Sequence, residues 1–89
     1  MDLTDYKRRI LLCVTGLSPQ IITETLYALV VKYAYVPTEI HLITTADGAD
    51  YAKLTLLDHG QGYFYRLCTD FGLDTRKIRF DDKTVHVIP

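Results

Sequence analysis

The sequence predicts an α/β fold built on a mainly parallel sheet. Two observations carry this. Short apolar runs of strand length alternate with segments of helical periodicity, in the order β-α-β-α-α-β. The first run, Ile10-Leu11-Leu12-Cys13-Val14, is continuous rather than alternating, the pattern of a strand covered on both faces in a parallel sheet.

The first strand is expected over residues 9–14, after the charged Tyr6-Lys7-Arg8-Arg9, and Thr15-Gly16-Leu17 breaks it. Ser18 stands where a helix N-cap is needed, and Pro19 suits the first helical position, where its missing N–H costs nothing. Ile22, Leu26, Leu29, Val30 and Tyr33 recur at helical spacing and form the predicted sheet-facing side. Pro37 ends that helix. Residues 38–45, Thr-Glu-Ile-His-Leu-Ile-Thr-Thr, are rich in β-branched side chains and predict the second strand. Ala46-Asp47-Gly48 then predicts a turn. A second helix is expected over 50–57, with Tyr51, Leu54 and Leu57 at three-residue spacing, until His59-Gly60-Gln61-Gly62 interrupts it. Residues 63–71 predict a third helix with Phe64, Leu67, Cys68 and Phe71 on one face and Gly72 closing it. Ile78-Arg79-Phe80 is a weak strand-like run, Asp81-Asp82-Lys83 a turn, and Val85-His86-Val87-Ile88 the last strand. Together these elements predict a Rossmann-like three-layer sandwich with a mainly parallel sheet, incomplete in this chain, as a single partial domain over residues 1–89.

The totals narrow the function. With 89 residues, a folded chain buries only roughly two-thirds of its unfolded surface. A partner subunit or further chain is therefore expected to complete the core. The residues are 48% hydrophobic and 24% charged, with a formal net charge of −1. That balance gives no bulk attraction to duplex DNA or to an anionic membrane. Cys13 and Cys68 lie in apolar or helical patterns, as buried reduced thiols of a cytoplasmic protein would. Nothing at the start resembles a signal peptide, and the apolar stretch 21–36 is broken by Glu24 and Lys32, too short and too polar to span a bilayer.

The residues that point to chemistry lie after the strands. In open α/β sheets ligands bind beyond the carboxyl ends of the strands. Thr15-Gly16-Leu17-Ser18-Pro19-Gln20 occupies that place after the first strand. A helix start there offers free N–H groups and a positive dipole to a phosphate, and Gly16 admits a ligand close to the backbone. The loop has no P-loop lysine and no G-x-G-x-x-G pattern. An ordinary glycine turn with a serine cap would look the same. Thr44-Thr45 and Gly48 occupy the matching place after the second strand, and two such loops at one sheet edge would line a shared pocket. An Asp-Gly turn with a helix cap is the plainer reading of that segment.

Other groups read as structure. Lys7-Arg8-Arg9 is a solvated flank at the opposite end, and Asp81-Asp82 belongs to a turn. His41 and His86 sit within strands and His59 in a glycine-rich turn; no Cys–His spacing fits zinc, so neither a metal nor another cofactor is expected. The tyrosines, Tyr27, Tyr33, Tyr35, Tyr51, Tyr63 and Tyr65, are expected mainly in the core or at an interface, although aromatic rings of this kind also stack bases.

Val14-Thr15-Gly16-Leu17-Ser18-Pro19-Gln20, with Ile22-Thr23-Glu24-Thr25-Leu26-Tyr27-Ala28-Leu29, resembles the opening of the CRISPR-associated Rossmann-fold (CARF) family. Pro37-Thr38-Glu39-Ile40-His41-Leu42-Ile43-Thr44-Thr45 and Phe64-Tyr65-Arg66-Leu67-Cys68 extend the resemblance, which covers residues 9–88. It implies a homodimeric sensor of type III CRISPR antiviral defence that binds a cyclic oligoadenylate across its two-fold. The ligand contacts would include Thr15, Gly16, Leu17, Ser18, Pro19, Gln20, Thr44, Thr45 and Gly48. Some members cleave the ring without a metal, and Ser18 is the candidate catalytic residue for such ring nuclease activity. The ribose 2′-OH would attack the adjacent phosphate while the protein positions it. A Gly-Gly-Arg-Lys-type motif, which supplies cationic contacts in the family's later half, is not among these residues. Two alternatives stand beside the sensor: a truncated CARF-like fragment acting only in dimerisation, and a different nucleotide-binding Rossmann-like module.

Overall fold

The computed structural model describes residues 7–58 and 62–88. Three strands, β1 (Ile10–Val14), β2 (Glu39–Thr44) and β3 (Val85–Val87), pair in parallel in the order β1-β2-β3. Helix α1 (Gln20–Tyr33) joins β1 to β2, and α2 (Ala46–Leu56) and α3 (Tyr63–Asp70) join β2 to β3. The fold is therefore α/β with an open parallel sheet, a partial Rossmann-like arrangement.

Strand order sets the layers. Each crossover advances by one strand in the same direction, and right-handed crossovers of that kind all place their helices on one face. That face carries Leu11, Cys13, Ile40, Leu42 and Val85, packed with Ile22, Leu26, Ala49, Ala52, Leu56, Phe64 and Cys68. Ile10, Leu12 and Val14 alternate onto the other face, where Leu12 is 58% and Val14 66% exposed. The continuous apolar run of β1, expected to be covered on both sides, is thus covered on one. Among the described residues one helical layer covers one face of the sheet, in keeping with a Rossmann-like sandwich that is incomplete in this chain. A second helical layer would need a crossover in the reverse direction from β1.

Two helices differ from expectation in instructive ways. Ala46-Asp47-Gly48, expected as a turn, is the first turn of α2. The Thr45 hydroxyl accepts the N–H of Gly48 at 3.1 Å, so the helix starts at Ala46 rather than near residue 50. Its inner face is Gly48, Ala49, Ala52 and Leu56, while Tyr51 and Leu54 point outward. Small residues let α2 lie close on the sheet, a contact that a search for bulky side chains at helical spacing misses. In α1, Ile22 and Leu26 are buried but Tyr33 is exposed, because the helix ends beside it at Ala34 in left-handed geometry. None of the six described tyrosines is fully buried, contrary to a core role. Tyr27 instead meets Phe71 edge-on at 5.5 Å on the outside of the helical layer.

The remaining elements follow the sequence. Gly72 adopts φ 66° just past α3, as its closing role requires. Arg79 makes a single parallel bridge to Glu39 beside β2, so the 78–80 run is a weak strand indeed. Asp81 caps the short turn Asp82–Thr84 through a reciprocal pair with buried Thr84. Both cysteines are free and buried, and burial pushes the Cys68 thiol up to about 11. It stays protonated and unreactive at neutral pH.

Candidate functional site

The carboxyl ends of β1 and β2 bring the two predicted loops into contact. Thr15 continues the β1 ladder, its N–H donating to the Ile43 carbonyl at 3.1 Å. Thr44, the buried last residue of β2, donates its hydroxyl to the Gly16 carbonyl at 3.1 Å. Gly48 lies against both: a Cβ there would sit 2.1 Å from Thr44 Oγ1 and 2.4 Å from the Gly16 oxygen. Thr15, Gly16, Thr44 and Gly48 therefore form one cluster. Thr45 is turned to α2, where its side chain is engaged as the cap.

Ser18 does not cap α1. The N-cap is Pro19, in helical geometry, and no side chain caps it. The first helical bonds run from the Ile21 N–H to the Ser18 carbonyl at 3.3 Å and from the Ile22 N–H to the Pro19 carbonyl at 3.1 Å. The Thr15 hydroxyl also donates to the Ser18 carbonyl at 3.2 Å, folding the loop back on itself. A serine before proline caps through its side chain only when the chain turns into the helix at the serine; here the turn comes one residue later. The Ser18 hydroxyl is left exposed and without a protein partner among the described residues. Ser18→Ala is therefore expected to change stability by less than about 0.5 kcal/mol, not the roughly 1 kcal/mol of a lost cap. Thermal melting of the two proteins checks this directly.

The same loop is rich in unused donors. The N–H groups of Gly16, Leu17, Ser18 and Gln20 have no protein acceptor among the described residues. They lie at the start of a 14-residue helix whose dipole is positive at this end. Gly16 has nothing within 4 Å of an added Cβ and does not adopt a left-handed φ, so the fold itself does not demand glycine there.

A cleft of about 210 Å³ opens from this loop into the helical layer, lined by Pro19, Gln20, Thr23, Tyr51, Leu56 and Tyr63 among others. The spacing of Tyr51, Leu54 and Leu57 predicts a helix but does not show that Tyr51 lines a cleft. A larger groove, about 580 Å³, lies at the amino ends of the strands, between Tyr65, Arg79 and the 81–83 turn. It is far from the strand carboxyl ends, and Arg79 and Asp81 face each other across 3.8 Å within it.

The open face of the sheet holds a polar row that the sequence conceals. His41 Nδ1 and His86 Nε2, from neighbouring strands, are 2.9 Å apart with rings stacked at 5.2 Å. His41 Nε2 lies 3.1 Å from Glu39, and Arg8 grips the same carboxylate with two guanidinium nitrogens. An ionised carboxylate only accepts, so His41 Nε2 is the donor and its Nδ1 accepts from His86 in the neutral ring. The Arg8 flank is thus ion-paired rather than merely solvated, and Arg9 also donates to the Val36 carbonyl at 2.8 Å. His59 lies outside the described residues.

Arg8, and then His41, hold the Glu39 carboxyl down to about 2 from an ordinary 4.5. A depressed value means the pair's stabilisation is complete above about pH 4.5 and is lost as pH falls towards 2. In an NMR titration, Arg8→Ala should move the Glu39 midpoint up towards the ordinary carboxylate range. A midpoint unchanged in the variant would show that Arg8 does not set it.

No described helix is long and apolar enough to cross a membrane. Comparison with known proteins adds a family. The family model described as CRISPR-associated protein NE0113 matches residues 18–89, from the exposed serine through the whole of α1, the second loop, β2 and β3. No curated protein and no solved structure matches. With most of its length covered by that model, the chain belongs to the CRISPR-associated protein NE0113 family.

Proposed function

We propose that this chain is a loop-bearing CARF-type sensor module that binds a cyclic oligoadenylate in type III CRISPR defence. The observation that supports it most is the joining of two strand-end loops by the Thr44–Gly16 hydrogen bond, beside four unused backbone N–H groups. Such a donor cluster at a helix start suits a phosphate of the ring. Gly16 and the Ser18 hydroxyl belong to the same loop, and the fold does not need either of them there. Thr44 and Gly48 build the loop from behind.

The reading is sensing rather than cleavage. Residues 15–20 and 44–48 contain no His, Lys or Arg, so neither loop supplies a cation for the phosphorane-like transition state. Calorimetric titration with cyclic tetra- and hexa-adenylate, followed by chromatography of the mixture, tests this. Intact ring recovered from a complex supports the sensor. Linear product would reassign the chain as a ring nuclease with Ser18 as its first candidate. Neither binding nor product would leave a scaffold. Ser18→Gly should melt like the unaltered protein and bind about tenfold more weakly, the loss of one hydrogen bond to a charged group.

The exposed Ile10, Leu12 and Val14 favour association of two copies, since an apolar sheet face in water is costly. Sedimentation at micromolar concentration should show a dimer or larger species. A strictly monomeric protein with a sharp thermal transition would contradict it.

A further inference from the structure

We propose that the cleft between the starts of α1 and α3 and the outer face of α2 receives one adenine base, with Tyr51 and Tyr63 as its stacking walls and Gln20 as its reader. The inference rests on the oligoadenylate reading above and names where a base of that ligand goes.

Position comes first. Pro19 and Gln20 belong both to the loop with the open N–H groups and to the lining of the cleft. A nucleotide whose phosphate sits on the loop has the cleft within its own reach. Size agrees: at about 210 Å³ the cleft is below the roughly 300 Å³ that marks the small end of drug-sized pockets. It suits a single ring system rather than a whole dinucleotide.

The walls are of the right kind. Tyr51 is 48% and Tyr63 59% exposed, and they come from different helices. Neither is used by the core, which on this side is filled by Ala52, Leu56 and Phe64. Arg66 lies 5.5 Å from the centre of the Tyr63 ring, which restrains that ring against its own helix. Buried Leu56 and Pro19 give the cleft apolar surface. Exposed aromatic rings beside an apolar notch are the common platform for unpaired bases.

The polar groups favour adenine among the purines. The Thr23 hydroxyl donates to the Gln20 carbonyl at 3.0 Å, and the Thr55 hydroxyl to the Tyr51 carbonyl at 2.8 Å, so both are spent as donors. The Gln20 side-chain amide has no partner among the described residues. It offers one acceptor and one donor side by side, the complement of the N6 amino group and N7 of adenine. Guanine and hypoxanthine present acceptors at both positions, so the amide favours adenine over either of them.

The test is affinity for cyclic tetra-adenylate and for the same ring built from inosine, with melting measured on every variant. Tyr51→Ala and Tyr63→Ala should each weaken cyclic tetra-adenylate by about tenfold, while Tyr51→Phe retains binding and all three melt like the unaltered protein. Gln20→Ala should remove the preference for adenylate over inosinate. If the unaltered protein binds the ring and both tyrosine variants bind equally well, the base site is wrong and the oligoadenylate reading stands. If the unaltered, folded protein binds neither ring, both fall.

Discussion

Phe64→Ala should cost about 3–5 kcal/mol, the range for emptying an aromatic core site. Phe64 is buried in the first turn of α3 and meets Phe80 edge-on at 5.1 Å and Tyr65 at 5.2 Å. It packs α3 against Phe80 of the 78–80 run inside the shared core. A domain of this length has a total stability of only about 5–13 kcal/mol, so the variant should be largely unfolded at modest denaturant. Urea unfolding followed by circular dichroism reads the change in midpoint. A loss under about 1 kcal/mol would mean that the core closes over the cavity or does not contain Phe64.

Gly48→Ala should cost about 3 kcal/mol, at the upper end for overpacking. Within a helix Gly→Ala normally stabilises, by up to roughly 1 kcal/mol in the interior and less in a first turn such as this, so a loss is diagnostic. The new methyl would meet Thr44 Oγ1 at 2.1 Å and the Gly16 carbonyl at 2.4 Å. The carbonyl is backbone, and the hydroxyl is held by its bond to that same carbonyl. Relief therefore means parting the two loops. At about 4–8 °C per kcal/mol for a domain of this size, melting should fall by more than 10 °C. A stable Gly48→Ala protein would show that the loops are not in contact.

Much of the fold was legible because periodicity is a local property. The helical spacing of Ile22 and Leu26, the β-branched run ending in Thr44, and Gly72 after α3 each declare themselves within a few residues. What the sequence concealed depends on packing between distant segments. Thr45 reads equally as a turn residue or as a cap until Gly48 is seen donating to it. Ser18 has the chemistry of a cap, yet the helix starts one residue later and leaves its hydroxyl free. Small residues put the inner face of α2 on Ala49 and Ala52, which turned Tyr51 outward into the cleft. The pairing of His41 with His86 spans 45 positions and exists only through the register of β2 and β3. That the two loops lie at one sheet edge was legible from the strand order, whereas the Thr44–Gly16 hydrogen bond that joins them was not. Thr44 and Gly48, read from the sequence as ligand contacts, also touch Gly16, a contact between loops that no local pattern announces.

The most direct test of the central claim pairs stability with affinity in Gly16→Ala. Nothing lies within 4 Å of the added methyl and the backbone there is not left-handed. Melting should therefore hold or rise slightly, by up to about 1 kcal/mol from the stiffer unfolded chain. If a phosphate of a cyclic oligoadenylate rests on the 15–20 loop, the same methyl should weaken binding of the cyclic tetra- or hexa-adenylate by at least about tenfold. An unaltered protein that binds one of these rings, beside a Gly16→Ala protein that melts normally and binds poorly, is the result this account predicts. Equal affinity in the two proteins, or a folded unaltered protein that binds neither ring, would contradict it.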